Sequence, residues 1–318
     1  MIHIHDRTII RCIIQETAEW DKFREDYNPE LESCIDAEDN EKKEIFIQYL
    51  MHVGKRFQKN FRVPIENLSQ FEKFLFTNEN YRDHVLHTFR VWGLGIFLYH
   101  KLFKSDFSEK DIDIDKFHFL WYLAAVYHDI GYPLERIQKI VKSMNENFEN
   151  TGIEIEISPI SSNNNLRSQE INTILEEILP GPFIDNNSLL KKNHGELSGR
   201  ILIYTLYKHL GNKWNTEVKK SIKAIIIHDN EKIMIPLKDD PLSALLVICD
   251  ELQEWGRPFS SLSKYHGYEL SHIAFEVNFD PVQISYKYPI NAIIDKERDK
   301  NKMKNLDRIK GIKINKIE

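Results

Sequence analysis

Residues 115–129 read DKFHFLWYLAAVYHD, and Ile130-Gly131-Tyr132-Pro133 follows. From Phe117 to Tyr127 the string is apolar nearly all round, so it predicts a helix buried on every side. Gly131 and Pro133 mark its end. The last two residues, His128 and Asp129, are polar. An ionised carboxylate there is costly to bury without a partner, and a metal ion satisfies both side chains at once.

Outward from this helix, the chain keeps helical spacing. Val85, Phe89, Trp92, Ile96 and Tyr99 form one apolar stripe across residues 81–104. His87 lies on the same stretch, one turn before Val91. Downstream, further helices are predicted over Leu134–Phe148, Gly195–Leu210, Thr216–His228 and Pro241–Trp255. His194 begins one of them in NHGELSGRIL, and His228 ends another in AIIIHDN. Asp250 follows the apolar run Leu245–Cys249. The dipeptide His-Asp occurs at 5–6, 128–129 and 228–229, so it decides nothing without this apolar context.

The flanks differ in texture. Residues 1–80 are charged with scattered apolar positions and read as an N-terminal helical extension. A helix is expected from Lys42 to Phe57, then a break at Val63-Pro64. Residues 149–192 hold Asn163-Asn164-Asn165 and Pro180-Gly181-Pro182, and read as a long loop with one short helix near Gln169–Ile178. Such a loop is either a functional lid or a tolerated surface insertion. From about residue 268 the period drops to two: Ile273, Phe275, Val277 and Phe279, then Val282, Ile284, Tyr286 and Tyr288 beyond Asp280-Pro281. A charged helix over about 290–310 and an Ile312–Ile317 strand complete a small ββαβ appendage. The expected architecture is mainly α: an extension (1–80), a helical domain (81–265) and an α+β appendage (266–318).

The 318 residues are 42% hydrophobic and 29% charged, an ordinary globular balance. A net charge of −6 disfavours duplex nucleic acid as a partner but not a small phosphorylated ligand. Cys12, Cys34 and Cys249 are widely spaced and form no CxxC pair, which argues against a disulfide scaffold or a thiolate zinc site. No apolar run approaches the ~20 residues of a spanning helix, and Met1–Asp6 does not resemble a signal segment. A cytoplasmic protein without a membrane partner is the expectation. The basic stretch Lys296–Glu318 reads as a solvated helix face or a partner-binding surface. The edge of the terminal sheet offers a route to homo-oligomers.

The order His87, His128-Asp129 within YHDIGYP, and Asp250 resembles the HD-domain superfamily of metal-dependent phosphohydrolases. YRDHVLHTFRV is similar to the first ligand helix of cyclic-nucleotide phosphodiesterases, and the resemblance covers about residues 80–257. It implies an all-helical bundle with a metal held by His87, His128, Asp129 and Asp250. With His194 and His228 the pattern resembles binuclear members, with Asp129 bridging two ions. A nitrogen-rich set without thiolate suits Fe, Mn, Ni or Zn better than Mg alone, although Mg is not excluded. The HD-GYP branch is not matched: Tyr132 stands where that branch carries Lys, and Asp229 follows His228.

The resemblance implies hydrolysis of a nucleotide or related phosphoester by a metal-activated water, with Asp129 in the catalytic centre. His84 and Asp83 lie three and four residues before His87 and are candidates for a proton donor or a supporting partner. Gln253, Glu254 and Arg257 are expected to form a polar stripe toward the metals, with Arg257 as a phosphate ligand or an ion-pair partner of Glu254. Lys191 and Lys192 are candidate substrate-binding cations or solvated loop charges. Glu196 suits a helix start through its dipole. Three alternatives stay open. They are a di-iron oxygenase with the same ligand inventory, a non-catalytic metal- or ligand-sensing module, and a mononuclear phosphatase in which His194 and His228 are structural.

Overall fold

The protein is described by a computed structural model covering residues 2–20, 22–57, 84–104, 112–148, 165–179, 193–210, 217–255, 273–279, 282–288 and 296–317. Strand β1 (Ile2–Ile4) leads into α1 (Asp6–Glu16), capped by the His5 ring, which accepts from the Thr8 amide at 3.1 Å. A π-helical turn (Phe23–Tyr27) runs into α2 (Asn28–Ser33) and then α3 (Asp39–Phe57). Next come α4 (His84–Leu98), extended by a second π-helical turn (Tyr99–Phe103), and α5 (Ile114–Tyr127). Then follow α6 (Tyr132–Phe148), α7 (Asn165–Ile178), α8 (His194–Leu210) and α9 (Val218–His228). A short β2 (Ile235–Pro236) precedes α10 (Pro241–Leu252). The chain closes with β3 (Ile273–Phe279), β4 (Val282–Lys287), α11 (Lys296–Asp307), β5 (Ile309–Lys310) and β6 (Lys313–Lys316). The fold is mainly α, as expected.

Helix α5 is the hub. Asp113 caps its start by accepting from the Lys116 amide at 2.8 Å, and Leu120 to Tyr127 are buried. Two of its buried polar side chains reach neighbouring helices instead of water. The Trp121 indole donates to the Trp92 carbonyl of α4 at 2.7 Å, and the Tyr122 hydroxyl to the Leu50 carbonyl of α3 at 2.8 Å. Ser221 of α9 donates to the Leu120 carbonyl at 2.8 Å.

The sequence predicts one apolar stripe for α4, yet all its residues are buried. The polar face is covered by the N-terminal segment. Arg90 grips Asp6 of α1 through two bonds of 2.8 and 2.9 Å and reaches Asp39 of α3 at 3.0 Å. A buried guanidinium is tolerable when its donors are matched in this way. Asp6 is correspondingly held far below the ordinary carboxylate range: burial opposes ionisation, but Arg90 and Lys42 outweigh it.

The terminal ββαβ unit is present, with β4 and β6 parallel across α11. Three short strand segments go beyond what the hydrophobic period predicts. Ile2–Ile4 pairs antiparallel with β3, so the main sheet has the order β1-β3-β4-β6. Ile235–Pro236 pairs with Ile309–Lys310. Two or three residues are too few to show a period of two. Among the described residues no helix is long and apolar enough to cross a membrane. The Val63-Pro64 break, the Asn163-Asn164 and Pro180–Pro182 stretches and the Asp280-Pro281 turn lie outside the described residues.

Candidate metal centre

The six predicted ligands come from five regions of the bundle. His87 projects from the first turns of α4, and His128-Asp129 from the turn that ends α5. His194 opens α8, His228 closes α9, and Asp250 lies near the end of α10. The structure brings all six together. His87, His128, Asp129 and Asp250 form one group able to hold a metal ion, and Asp129, His194 and His228 form another.

Asp129 links the groups through its two oxygens. Its Oδ2 lies 3.6 Å from His87 Nε2 and 3.4 Å from His128 Nε2. Its Oδ1 lies 3.3 Å from His194 Nε2 and 3.9 Å from His228 Nε2. Asp250 Oδ1 closes the first group at 3.0 Å from His87 Nε2 and 3.8 Å from His128 Nε2. Two donors each about 2.1 Å from one ion, at tetrahedral or octahedral angles, stand about 3.0–3.4 Å apart. The shorter distances here fall in that range.

The imidazoles are oriented for this role from behind. His128 Nδ1 donates to the Ala125 carbonyl at 2.7 Å, and His228 Nδ1 to the Ile225 carbonyl at 2.5 Å. Gln253 donates its amide to the Trp255 carbonyl at 2.8 Å, which turns its Oε1 toward His87 Nδ1. His194 Nδ1 lies 3.1 Å from both Glu135 and Asp229. With every Nδ1 engaged, each Nε2 presents its lone pair inward. Yet His87 and His128 meet Nε2 to Nε2 at 3.1 Å, and His194 and His228 at 3.2 Å. Two lone pairs face each other in each pair, an arrangement that needs a cation between them. Without a metal that cation is a proton. Burial pulls His194 down, but Glu135, Asp229 and Asp129 together lift it to about 9. Burial and the neighbouring His194 push His228 down to about 3. The pair accommodates one positive charge and refuses a second, and the donor set fits a divalent ion in its place.

Two further acids belong to this site, Glu135 of α6 and Asp229, and the sequence marks neither as a site residue. Glu135 follows Asp129 by six residues across a turn, a spacing without a helical signature. Asp229 stands out in the sequence only as a departure from the HD-GYP pattern. Burial, despite His194, raises Asp229 to about 6. Glu135 falls to about 2, because His194 and Lys139 overcome its burial.

The other candidates separate. His84 is fully buried, with Nε2 3.9 Å from Asp129 Oδ2 and its ring against Tyr132. Glu254 does not join a stripe toward the metals. Helix α10 stops at Leu252, because Gln253 is drawn toward His87, and Glu254 instead meets Lys302 of α11 at 2.6 Å. Glu196 pairs with Arg200 at 3.0 Å and belongs to neither ligand group. Arg136, which no motif marks, donates to the Tyr132 hydroxyl at 2.7 Å, and Tyr132 packs edge-on to His194. Asp83, Lys191, Lys192 and Arg257 lie outside the described residues.

The chain was compared with known families, curated proteins and solved structures, and nothing matched.

Proposed function

We propose that this chain is a metal-dependent phosphohydrolase of the HD-domain type, acting on a nucleotide or related phosphoester. One observation carries the reading: the Asp129 carboxylate lies between two imidazole pairs, one oxygen toward each. His87, His128, Asp129 and Asp250 would hold one divalent ion, and Asp129, His194 and His228 a second. Bound there, such ions would activate a water near neutral pH and neutralise phosphoryl oxygens.

The chain's own contribution is positioning and charge. Ala125, Ile225 and Gln253 fix the tautomers of His128, His228 and His87. Asp129, Asp250, Asp229 and Glu135 carry four negative charges when ionised, which two divalent ions would balance. The open rim is on the Asp229 side: its side chain is 34% exposed, against 1% for Asp129. Asp229, raised to about 6, would in its protonated form be the group placed to hand a proton to a leaving oxygen at the rim. His84, fully buried with its Nε2 3.9 Å from Asp129 Oδ2, would add an imidazole beside that carboxylate. Arg136 on Tyr132 offers a cation near the same rim. Lys191, Lys192 and Arg257 remain candidates for gathering the anionic substrate.

Metal content of full-length protein purified without oxygen or chelator tests the reading, followed by a screen of nucleotide monoesters, diesters and anhydrides. Two ions in the parent, one in His194→Ala, and phosphate-ester turnover lost in Asp129→Ala are expected. Stoichiometric iron with substrate-linked oxygen consumption would replace hydrolysis by the oxygenase alternative. One ion, unchanged in His194→Ala, would reduce the centre to a mononuclear phosphatase. No bound metal after reconstitution would overturn the reading.

A further inference from the structure

A second cluster of metal-ligating side chains lies at the far end of α4. Glu16 is the last residue of α1, His100 sits in the π-helical turn after α4, and His118 is in α5. Thirteen residues separate His100 from His87, about 20 Å along a helix at ~1.5 Å per residue, so this cluster is separate from the proposed catalytic centre. One ligand atom from each of the three side chains lies within 4.8 Å of the other two.

We propose that Glu16, His100 and His118 form a distinct site for one divalent transition-metal ion of the zinc type. Three observations carry it. His100 Nε2 stands 2.8 Å from Glu16 Oε2, so two of the donors already converge. His118 is 3% exposed, and its Nδ1 has no hydrogen-bond partner among the described residues. Its ring packs edge-on to Trp20 and against Phe117, neither of which satisfies that nitrogen. Buried imidazole nitrogens are rarely left this way, and a metal ion is one of the few partners that could fill the gap. The π-helical turn Tyr99–Phe103 is the third observation: inserted residues of this kind shift the phase of the following side chains and recur at functional sites.

The donor set of two imidazoles and a carboxylate is a three-ligand zinc arrangement that leaves a fourth position open. Glu16 and His100 also line a groove of about 380 Å³, which gives solvent access to the open position. Water can complete it. Lys101, Lys104 and Arg56 add positive charge nearby. That charge weakens any cation site, and with only one carboxylate the site cannot supply the many oxygens that Mg²⁺ and Ca²⁺ need, whereas two imidazole nitrogens suit a zinc-type ion. An ion here would tie α1, the end of α4 and α5 together.

The test is zinc titration of full-length protein stripped by chelator, with bound zinc counted by elemental analysis. Parent, Glu16→Gln and His118→Phe are compared, and all three keep the proposed catalytic ligands. The parent should bind one more zinc than either variant, or the variants should need at least tenfold more free zinc to fill that equivalent. Zinc should raise the melting temperature of the parent more than that of the variants, while all three melt alike in chelator. Glu16 is partly exposed, so Glu16→Gln decides the matter if His118→Phe fails to fold. Equal zinc counts and equal zinc-dependent melting shifts in parent and Glu16→Gln would overturn the proposal. The count stands whether or not any phosphoester is hydrolysed, so it can fail independently of the proposed function.

Discussion

Gln253 shows how much one uncharged side chain can control. It bonds His87 Nδ1 through Oε1 and the Trp255 carbonyl through its amide, so His87 has a single tautomer and a single orientation. Partners of this kind typically tune metal affinity 10–100-fold. Gln253→Ala should therefore weaken metal binding at the His87 group about 10–100-fold with little change in helix content, measured by competition against a chromophoric chelator. Protonation sets a second expectation. His194 stands at about 9 in the metal-free protein, against an ordinary 6.5. A raised basic pKa stabilises the fold fully below the unfolded value, and this contribution is lost as pH rises through the folded value. Metal-free protein should therefore lose that contribution between about pH 7 and 9. A metal at His194 must displace the proton, so affinity there should rise about tenfold per pH unit up to about pH 9 and then level off. Calorimetry in buffers of different ionisation enthalpy should show about one proton released at pH 7 for that ion. A pH-independent affinity would mean that His194 is not a ligand.

At the scale of elements, the approach of α8 to the turn after α5 determines whether the second group forms. Gly131 sits at that approach and donates its amide to Ser198 Oγ at 2.8 Å. A Cβ there would fall 2.6 Å from the His194 carbonyl and 2.7 Å from Leu197 Cβ. Backbone cannot yield as a flexible side chain does, so Gly131→Ala should push the start of α8 outward. Overpacking of this kind costs about 1–3 kcal/mol. Metal should be lost from the His194 group before the His87 group, detectable as a halved metal content at limiting free ion. The elements themselves are largely legible in the sequence, because continuous apolar runs such as Phe119–Val126 and Ala244–Cys249 leave little choice but burial. The polar face of α4 is not legible as buried, because what covers it, Asp6 and α1, is far away in sequence. The ends of helices are less legible too. Gly256 and Pro258 in DELQEWGRP mark a helix end, but not that α10 stops already at Leu252, where Gln253 bonds a residue on α4.

Over the whole molecule, both ends of the chain support the centre. From the N-terminus, Asp6 accepts the Trp255 indole at 2.8 Å, and Trp255 in turn holds Gln253 against His87. From the C-terminus, the buried Arg308 donates to the carbonyls of Ile227, His228 and Asn230. The last carbonyls of α9 have no partners within the helix, and Arg308 satisfies them while favouring the negative end of the helix dipole. The six candidate ligands are legible through the resemblance that their order carries, and His128, Asp129, His228 and Asp250 also follow apolar runs. The supports are not, because Asp6 and Arg308 sit in charged stretches that look solvated. Residues 296–318 in particular read as a basic surface, whereas Lys302 and Arg308 are buried against Glu254 and the end of α9. Arg308→Met keeps the bulk and removes the donors, leaving buried carbonyls unpaired at about 1–3 kcal/mol each. Some will find water, so a loss of about 2–4 kcal/mol in unfolding free energy is expected from denaturant melts. Because His228 is the last residue of α9, metal should also bind more weakly at the His194–His228 group, while the His87 group keeps its affinity. An Arg308→Lys variant, able to satisfy fewer carbonyls, should fall between Met and the parent in both measurements. Equal loss of metal from both groups would instead show that Arg308 supports the bundle as a whole, with no particular hold on His228.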